Sequence, residues 1–329
     1  MTDFKRYLLD EFVEDYQEGH LSRREALKLI AGITGSWVVA NTILAACTPA
    51  AQTTPASAPT ATGAPADTPV ASPTAQPPSP SSDPTTTAPI RATPGPSGEL
   101  EASAVEFPGE GATLIGYLAR PAGEGPFPAV LVCHENRGLT DHIRDVTRRV
   151  AMAGYVGLAV DLLSRQGGTD AVGDSSQVPG ILGNTPPEQF VQDFVSGWRW
   201  LQGQPTVQTE RVGMVGFCFG GGVTWRVAVG LQELRAAVPF YGAHPSVDEV
   251  ATIQAAVLAI YAERDQRINQ SIPAIEAAMQ QNDKTYEKVI YPNTDHAFHN
   301  DTGSRYNPEA AQDAWARTLA WFEKYLKTV

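Results

Sequence analysis

The stretch VGMVGFCFGG, residues 212–221, joins an apolar strand to a glycine-rich turn. Large apolar residues and glycines follow one another up to Phe217, as in a strand of a parallel sheet that is covered on both faces. Cys218 then stands at the centre of the pattern G-x-C-x-G, where enzymes with a strand–turn–helix elbow usually carry a nucleophilic serine. The stretch therefore predicts a thiol nucleophile at the carboxyl end of a buried strand.

Further short apolar runs predict the other strands, and stretches with apolar residues three and four positions apart predict helices between them. This alternation indicates an α/β fold in which helices flank a mostly parallel central sheet. Two alternating runs, 103–107 and 113–121, predict an antiparallel pair at its edge. The remaining strands are predicted at 128–134, 156–161, 211–217, 236–242, 255–263 and 287–292, and the helices at 141–152, 187–201, 220–231, 272–281 and 308–327.

Polar side chains after three of these strands form a candidate catalytic set, because sites lie at the carboxyl ends of parallel strands. Cys218, Asp265 and His296 follow in the order that α/β-hydrolases use for nucleophile, acid and base. Asp265 is expected to fix the imidazole tautomer while His296 carries the proton. The alternatives for the acid are Glu263 and Asp295, and those for the base are His299 first, then His134, His142 and His244.

The glycines around Cys218 leave the room that a strained turn needs, and the helix after it points its positive end at the sulfur. These features predict a thiol that ionises more easily than a free cysteine. The alternative is a small buried residue without chemistry. Cys133 fits that description better, although the sequence leaves open a disulfide between Cys133 and Cys218.

Four motifs resemble the dienelactone hydrolase family of α/β-hydrolases, which uses a Cys-Asp-His triad. They are CHENRGL (133–139), AVDLLSRQG (159–167), GFCFGG (216–221) and DHAFHND (295–301), and they occur in this order across residues 100–329. The resemblance implies that Cys218, Asp265 and His296 form the triad.

The resemblance also implies roles around the nucleophile. Glu135 matches a glutamate that hydrogen-bonds the resting thiol and moves away when substrate binds. The backbone N–H groups of Asn136 and Phe219 match the oxyanion hole.

For substrate binding, Arg165 matches an arginine that binds a substrate carboxylate, and His299 is expected to line the site. Asn300 stands where the family enzyme acting on dienelactone carries a second arginine, so a carboxylated dienelactone is a doubtful substrate. Arg305 is a candidate replacement, with a solvated loop arginine as the alternative.

These residues predict a hydrolase that cleaves small esters or lactones through a thioester acyl-enzyme, similar to carboxymethylenebutenolidase. No cofactor is expected, and no metal, because the cysteines and histidines lack metal-ligand spacing. A thioester or amide substrate is not separated from an ester by the sequence. The alternative from a different class is a tethered binding protein that keeps the hydrolase fold without significant turnover.

Residues 1–47 resemble an export signal. Arg23 and Arg24 precede a moderately apolar run, as in twin-arginine signals, and Leu-Ala-Ala-Cys at 44–47 resembles a lipobox in which Cys47 is acylated. The expected location is the outer face of the bacterial cytoplasmic membrane, held by the lipid on Cys47 after passage through the twin-arginine machinery. An uncleaved membrane anchor is the alternative. Apolar residues every four positions predict an amphipathic helix within residues 1–20, which is either docked on the folded domain, docked on a chaperone before export, or a mere extension.

Composition divides the rest of the chain. Residues 48–98 hold 13 of the 26 prolines, no aromatic residue and many Ala, Thr and Ser, which predicts a disordered linker before a hydrolase domain at 99–329. The net charge is −12 and the folded part lacks a basic stripe, which argues against nucleic acid as a partner.

Overall fold

A computed structural model describes residues 2–46 and 99–327. Eight strands form one sheet in the order β1-β2-β4-β3-β5-β6-β7-β8. The strands from β3 to β8 are parallel, whereas β2 runs antiparallel to both β1 and β4. The strands are β1 (Leu100–Gly109), β2 (Ala112–Pro121), β3 (Phe127–Cys133), β4 (Val156–Asp161), β5 (Val207–Phe217), β6 (Leu234–Phe240), β7 (Ala256–Ala262) and β8 (Tyr286–Tyr291). The predicted mostly parallel sheet with an antiparallel edge pair is confirmed.

Helices cover both faces of the sheet. The chain of residues 99–327 contains α4 (Asp141–Met152), α5 (Val178–Asn184), α6 (Pro187–Gln202), α7 (Phe219–Gly230), α8 (Gln266–Asn269), α9 (Ile272–Gln281) and α10 (Pro308–Phe322). A Cβ on Gly157 of β4 would meet Thr147 and Val150 of α4, whereas Gly197 of α6 lies against Leu158 and Val160 of the same strand. Successive side chains of a strand point to opposite faces, so α4 and α6 enclose β4 from opposite sides. This is the layered α/β architecture that the alternation of strands and helices predicted.

Three more helices precede the domain: α1 (Asp3–Gln17), α2 (Arg23–Thr34) and α3 (Trp37–Ala46). The amphipathic helix predicted within residues 1–20 is α1, and its apolar residues Phe4, Leu8 and Phe12 are buried in the same core as the domain. Ser22 and Glu25 form a capping box that begins α2. Helix α1 therefore docks on the folded domain and is not a mere extension.

None of the helices in the described ranges is both long and apolar enough to cross a membrane. The short helices α2 and α3 divide the apolar run after Arg24, with Gly35 in a left-handed conformation at the end of α2. The lipobox Cys47 and the predicted linker 48–98 lie outside the described residues.

Candidate active site

Cys218 occupies a strained turn between β5 and α7. Its backbone has φ 59° and ψ −122°, a conformation that L-residues rarely adopt and that is found at functional turns. The neighbouring glycines are required: a Cβ on Gly216 would lie 2.2 Å from the Gly220 oxygen, and a Cβ on Gly220 would lie 2.4 Å from the His134 oxygen. The turn predicted from the glycine pattern is therefore present.

The structure brings Cys218, His296 and Asp265 together. Asp265 follows β7 and His296 lies in the loop after β8, where His296 Nδ1 bonds Asp265 Oδ2 at 2.5 Å. His296 Nε2 is buried and has no hydrogen-bond partner among the described residues. A ring nitrogen of His296 lies within 4.8 Å of the Cys218 sulfur. This arrangement can accept a proton at Nε2 while Asp265 fixes the ring.

The charges of the acid and the base support each other. Burial lowers the pKa of His296, but the charges of Asp265 and Cys218 outweigh burial and hold that pKa well above its usual value. Burial raises the pKa of Asp265, yet the His296 and Arg267 charges bring it below the ordinary range. Asp265 is therefore ionised beside a ring that readily becomes a cation.

Helix α1 covers the sulfur. The Cys218 thiol donates to Glu11 Oε1 at 3.5 Å, the Tyr7 hydroxyl donates to the sulfur at 3.7 Å, and Asn136 Nδ2 donates to the same Glu11 oxygen at 2.9 Å. Cys218 is 3 % exposed and Glu11 is 4 % exposed. The contacts of Glu11 and Tyr7 with the nucleophile are a feature that the sequence analysis missed, although the amphipathic pattern of residues 1–20 signalled a docked helix.

The expected easy ionisation of Cys218 is not found while α1 is seated. Burial raises the pKa of the thiol, and the Glu11 carboxylate raises it further, whereas His296 lowers it without reversing the direction. The helix dipole and the turn are present as predicted, but a buried carboxylate beside the sulfur opposes a second negative charge.

Glu135 does not bind the thiol in this structure. Its Oε2 accepts a hydrogen bond of 2.7 Å from Asn300 Nδ2, and the contact expected between Glu135 and Cys218 is made by Glu11. Burial raises the pKa of Glu135. Asn300 thus supports Glu135 here, and its predicted part in substrate binding stays a prediction.

The predicted oxyanion hole uses the residue that follows Cys218 and a residue that contacts Glu11. Phe219 is the first residue of α7, so its backbone N–H points out of the helix end without an intrahelical acceptor. Asn136 lies in the loop after β3 and is held through its side chain by Glu11. The assignment of their backbone groups to an oxyanion stays a prediction.

Arg165 is engaged elsewhere. Its guanidinium forms two bonds, of 2.8 and 3.0 Å, to the carboxylate of Asp193, and one of 3.0 Å to the Glu110 oxygen. The Asp193 side chain is fully buried in α6. The structure therefore gives Arg165 the role of neutralising a buried acid, and binding a substrate carboxylate would require it to leave this partner.

Two other arginines face the site. Arg305 donates to Asp15 Oδ1 at 2.7 Å, so it is not the solvated loop residue that was the alternative. Arg267 donates to Glu14 Oε2 at 3.0 Å, and its guanidinium lies 4.4 Å from the centre of the Tyr7 ring. The sequence analysis did not single out Arg267. Its position two residues after Asp265 could have indicated that it lies near the site.

His299 packs among aromatic rings. Its ring stacks on Phe217 at 4.9 Å and contacts Phe240 and Trp315, and burial lowers its pKa to about 3. A role in lining the substrate site stays a prediction. The other histidines are bound elsewhere: His134 to backbone atoms of Glu135 and Leu162, His142 to Asp301, and His244 to Ser271 and Tyr261.

Cys133 and Cys218 are both free thiols in the described part of the chain. Cys133 is fully buried at the end of β3, as expected for a core residue. Glu11, Cys218 and His296 are the residues whose ligand atoms lie close enough together to hold a metal ion, within 4.8 Å of one another. Such an ion would occupy the sulfur and the ring nitrogen that proton transfer needs.

Comparison with known proteins agrees with this geometry. Residues 114–326 match the model of the dienelactone hydrolase family. A protein of Methylorubrum extorquens that carries the name carboxymethylenebutenolidase is 35% identical over 238 residues, which cover 69% of this chain and 82% of that protein. A similarly named protein of Salmonella typhi is 33% identical over 246 residues, which cover 70% of this chain and 90% of that protein.

Solved structures give the same result. A Klebsiella pneumoniae structure described as a dienelactone hydrolase superimposes with a TM-score of 0.65 at 32% identity, over 69% of this chain and all of that one. An esterase of Pyrobaculum calidifontis superimposes with a TM-score of 0.53 at 16% identity, over 68% of this chain and 85% of that one, and so shares the fold alone. The sheet order, the elbow at Cys218 and these matches together place the chain in the dienelactone hydrolase family, with an α/β-hydrolase fold.

Proposed function

We propose that the domain hydrolyses small esters or lactones, with Cys218 as nucleophile, His296 as base and Asp265 as its orienting acid. The observation that carries this proposal is the short His296–Asp265 bond beside a cysteine held in an elbow conformation. The names of the relatives, carboxymethylenebutenolidase and dienelactone hydrolase, support the substrate class.

In the first half of the reaction, His296 Nε2 accepts the thiol proton and the Cys218 sulfur attacks the carbonyl carbon. The resulting oxyanion is held by the backbone N–H groups of Asn136 and Phe219. When the C–O bond breaks, the alkoxide takes the proton from His296 and leaves as an alcohol. A thioester on Cys218 remains.

In the second half, His296 takes a proton from water as the water oxygen attacks the thioester carbonyl. The C–S bond breaks, the acid is released and the sulfur regains its proton. Asp265 stabilises the imidazolium in both halves and keeps its own negative charge. Since the carbonyl must contact the sulfur, Tyr7 and Glu11 have to leave their places before substrate binds.

The test is hydrolysis of p-nitrophenyl acetate together with mass spectrometry of the Cys218 peptide. It is done in the full chain and in Leu8→Asp, in which a buried charge on α1 opposes seating of the helix. We expect turnover and an acetyl thioester on Cys218 in Leu8→Asp, and neither when Cys218→Ala is added. Equal hydrolysis with and without Cys218 would contradict the catalytic role and favour the binding-protein alternative.

We also propose that residues 1–46 act as a cleaved twin-arginine signal and that Cys47 carries lipid at the outer face of the cytoplasmic membrane. Arg23 and Arg24 are exposed at the beginning of α2, with Arg23 bonded only to Asn41 among the described residues, so the pair is accessible on the folded chain. The short helices that follow suit a signal better than a membrane anchor.

This proposal is tested by expressing the full chain in a bacterium with a twin-arginine pathway. We expect export and acylated Cys47, and retention in the cytosol when Arg23 and Arg24 are both replaced by lysine. If export of the double lysine variant were unaffected, the twin-arginine machinery would not recognise the arginine pair.

A further inference from the structure

Helix α1 has an acidic and aromatic face that matches the mouth of the active site. Tyr7 and Glu11 contact the sulfur, while Glu14 pairs with Arg267 on α8 and Asp15 pairs with Arg305 in the loop before α10. These side chains are spaced three or four residues apart, so one face of the helix makes all of the contacts.

We propose that the cleft over Cys218 is a docking surface for α1, and that α1 is an intramolecular inhibitor of the hydrolase. The inference rests on the proposed function, because inhibition presupposes turnover. It adds to that function an occupant of the site that is neither substrate nor product.

The chemistry of the contacts explains why docking stops the reaction. The thiol donates to Glu11 Oε1 at 3.5 Å, so Glu11 competes with His296 for the thiol proton. The Tyr7 hydroxyl also contacts the sulfur, at 3.7 Å. Docked α1 thus competes with the base for the thiol proton and fills the space that an acyl group needs.

The domain side of the surface is shaped for this helix. Phe4 packs against Phe190 and Phe219 with ring centres 5.7 and 4.9 Å apart, and a Cβ on Gly222 would lie 2.9 Å from the Phe4 ring. Leu8 is fully buried and lies close to Gly183 of α5. Glycines at these contacts let the helix approach closely.

Helices α1 and α2, here called the N-terminal segment, also contact the domain at a second place, away from the sulfur. Helix α2 packs on α5 so closely that a Cβ on Gly180 would lie 2.4 Å from the Gly32 oxygen. Lys5 and Asp3 at the beginning of α1 bond Asn184 and Arg226, respectively. Because the segment belongs to the same chain, its docking is independent of protein concentration.

The proposed cleavage before Cys47 gives the inhibitor a natural release. Removing residues 1–46 takes away α1 with Tyr7 and Glu11 and leaves Arg267 and Arg305 facing the opened cleft. The precursor would then be latent, and the step that prepares Cys47 for lipid would also uncover Cys218.

The test measures access to the thiol separately from turnover. Iodoacetamide labelling of Cys218 and Cys133 is followed by peptide mass spectrometry in the parent, in Leu8→Asp and in Gly180→Val, which displaces the segment from the domain side. Arg6→Asp is the matched control, because it introduces the same residue on the exposed face of α1. Cys133 reports unfolding, since it is fully buried in the core.

We expect Cys218 to be labelled at least about tenfold faster in both displaced variants, in proportion to the open fraction, with p-nitrophenyl acetate hydrolysis rising alongside. Arg6→Asp should behave like the parent. Fast labelling without hydrolysis would show that α1 blocks the thiol while the proposed function fails. If Cys218 in the parent chain were labelled as fast as in the displaced variants, the proposal that α1 is an inhibitor would be overturned.

A third chain covers the case in which a displaced variant unfolds and labels Cys133 as well. A specific protease site is placed within residues 48–98 of the parent, and the chain is cut. We expect Cys218 labelling to become faster on dilution only after the cut, because docking is then bimolecular. Labelling that stays slow and independent of dilution, with the fragments separated on a column, would contradict the role of α1.

Discussion

The carboxylate of Glu11 lies 3.5 Å from the sulfur of Cys218, in the place where the family resemblance led us to expect Glu135. Glu135 is instead bonded to Asn300. A glutamate from the N-terminal helix therefore takes over the contact with the resting thiol. Since Glu11 arrives with the helix, its contact lasts only while α1 is docked.

The first prediction concerns the charge of Glu11. Its carboxylate raises the pKa of Cys218, second only to burial, so Glu11→Gln should shift the pH profile of the Cys218 thiolate absorbance, read as the difference from Cys218→Ala, toward lower pH. The isosteric amide keeps an oxygen for Asn136, so packing is preserved. Asp10→Asn, on the exposed face of the same helix, is the control and should leave the profile in place. An unchanged profile in Glu11→Gln would contradict the electrostatic argument.

The second prediction separates the two candidate acids. In the Leu8→Asp background, Asp265→Asn should lower kcat for p-nitrophenyl acetate by about 10²–10⁴-fold, because the wrong imidazole tautomer then faces the sulfur. Asp295→Asn is the matched control. Asp295 adjoins the base in sequence but pairs with Arg264 at 3.4 Å, so its loss should change kcat by less than about threefold. Equal losses from both variants would remove the special role of Asp265.

The mostly parallel sheet with its antiparallel edge pair and the convergence of Cys218, Asp265 and His296 were predicted from the sequence, because each of the three residues follows a strand of one parallel sheet. Apolar runs and their periodicity report burial, which local sequence determines well. The amphipathic pattern of residues 1–20 likewise predicted a helix with a buried face.

The residues that this face of α1 covers could not be predicted from the sequence. The contact between Glu11 and Cys218 joins residues 207 positions apart, and no spacing rule connects them. The same holds for Arg165, whose motif predicted a substrate ligand but whose partner Asp193 lies on α6. Long-range pairing of charges depends on the packed structure, and a pattern of residue types does not contain it.

The third prediction tests Arg165. Because Asp193 is fully buried, Arg165→Ala leaves an acid without its cation and should lower the free energy of unfolding by about 3 kcal/mol. Adding Asp193→Asn should restore much of the loss, as a double-mutant cycle in urea would show. If Arg165 instead binds a substrate carboxylate, Arg165→Ala should leave stability unchanged. In the Leu8→Asp background it should then raise KM for a carboxylated ester and not for a neutral one.

The last prediction is a loss of stability in mild acid. Burial lowers the pKa of His299 to about 3 and that of His244 to about 4, from 6.5 when unfolded. The folded state binds fewer protons than the unfolded state below pH 6.5, so stability present above that pH is lost as the pH falls toward the folded values. Each histidine contributes a slope of up to about 1.4 kcal/mol per pH unit.

Urea unfolding between pH 7 and 5 measures this slope, and His299→Phe should reduce it because a phenyl ring among Phe217, Phe240 and Trp315 takes up no proton. His20→Gln is the control, since His20 is exposed in the folded chain and its removal should leave the slope as it was. The two variants compare the loss of a buried imidazole with the loss of an exposed one. If His299→Phe kept the parent slope, the buried ring would not be the source of acid sensitivity, and protonation of His244 and His134 would have to account for it.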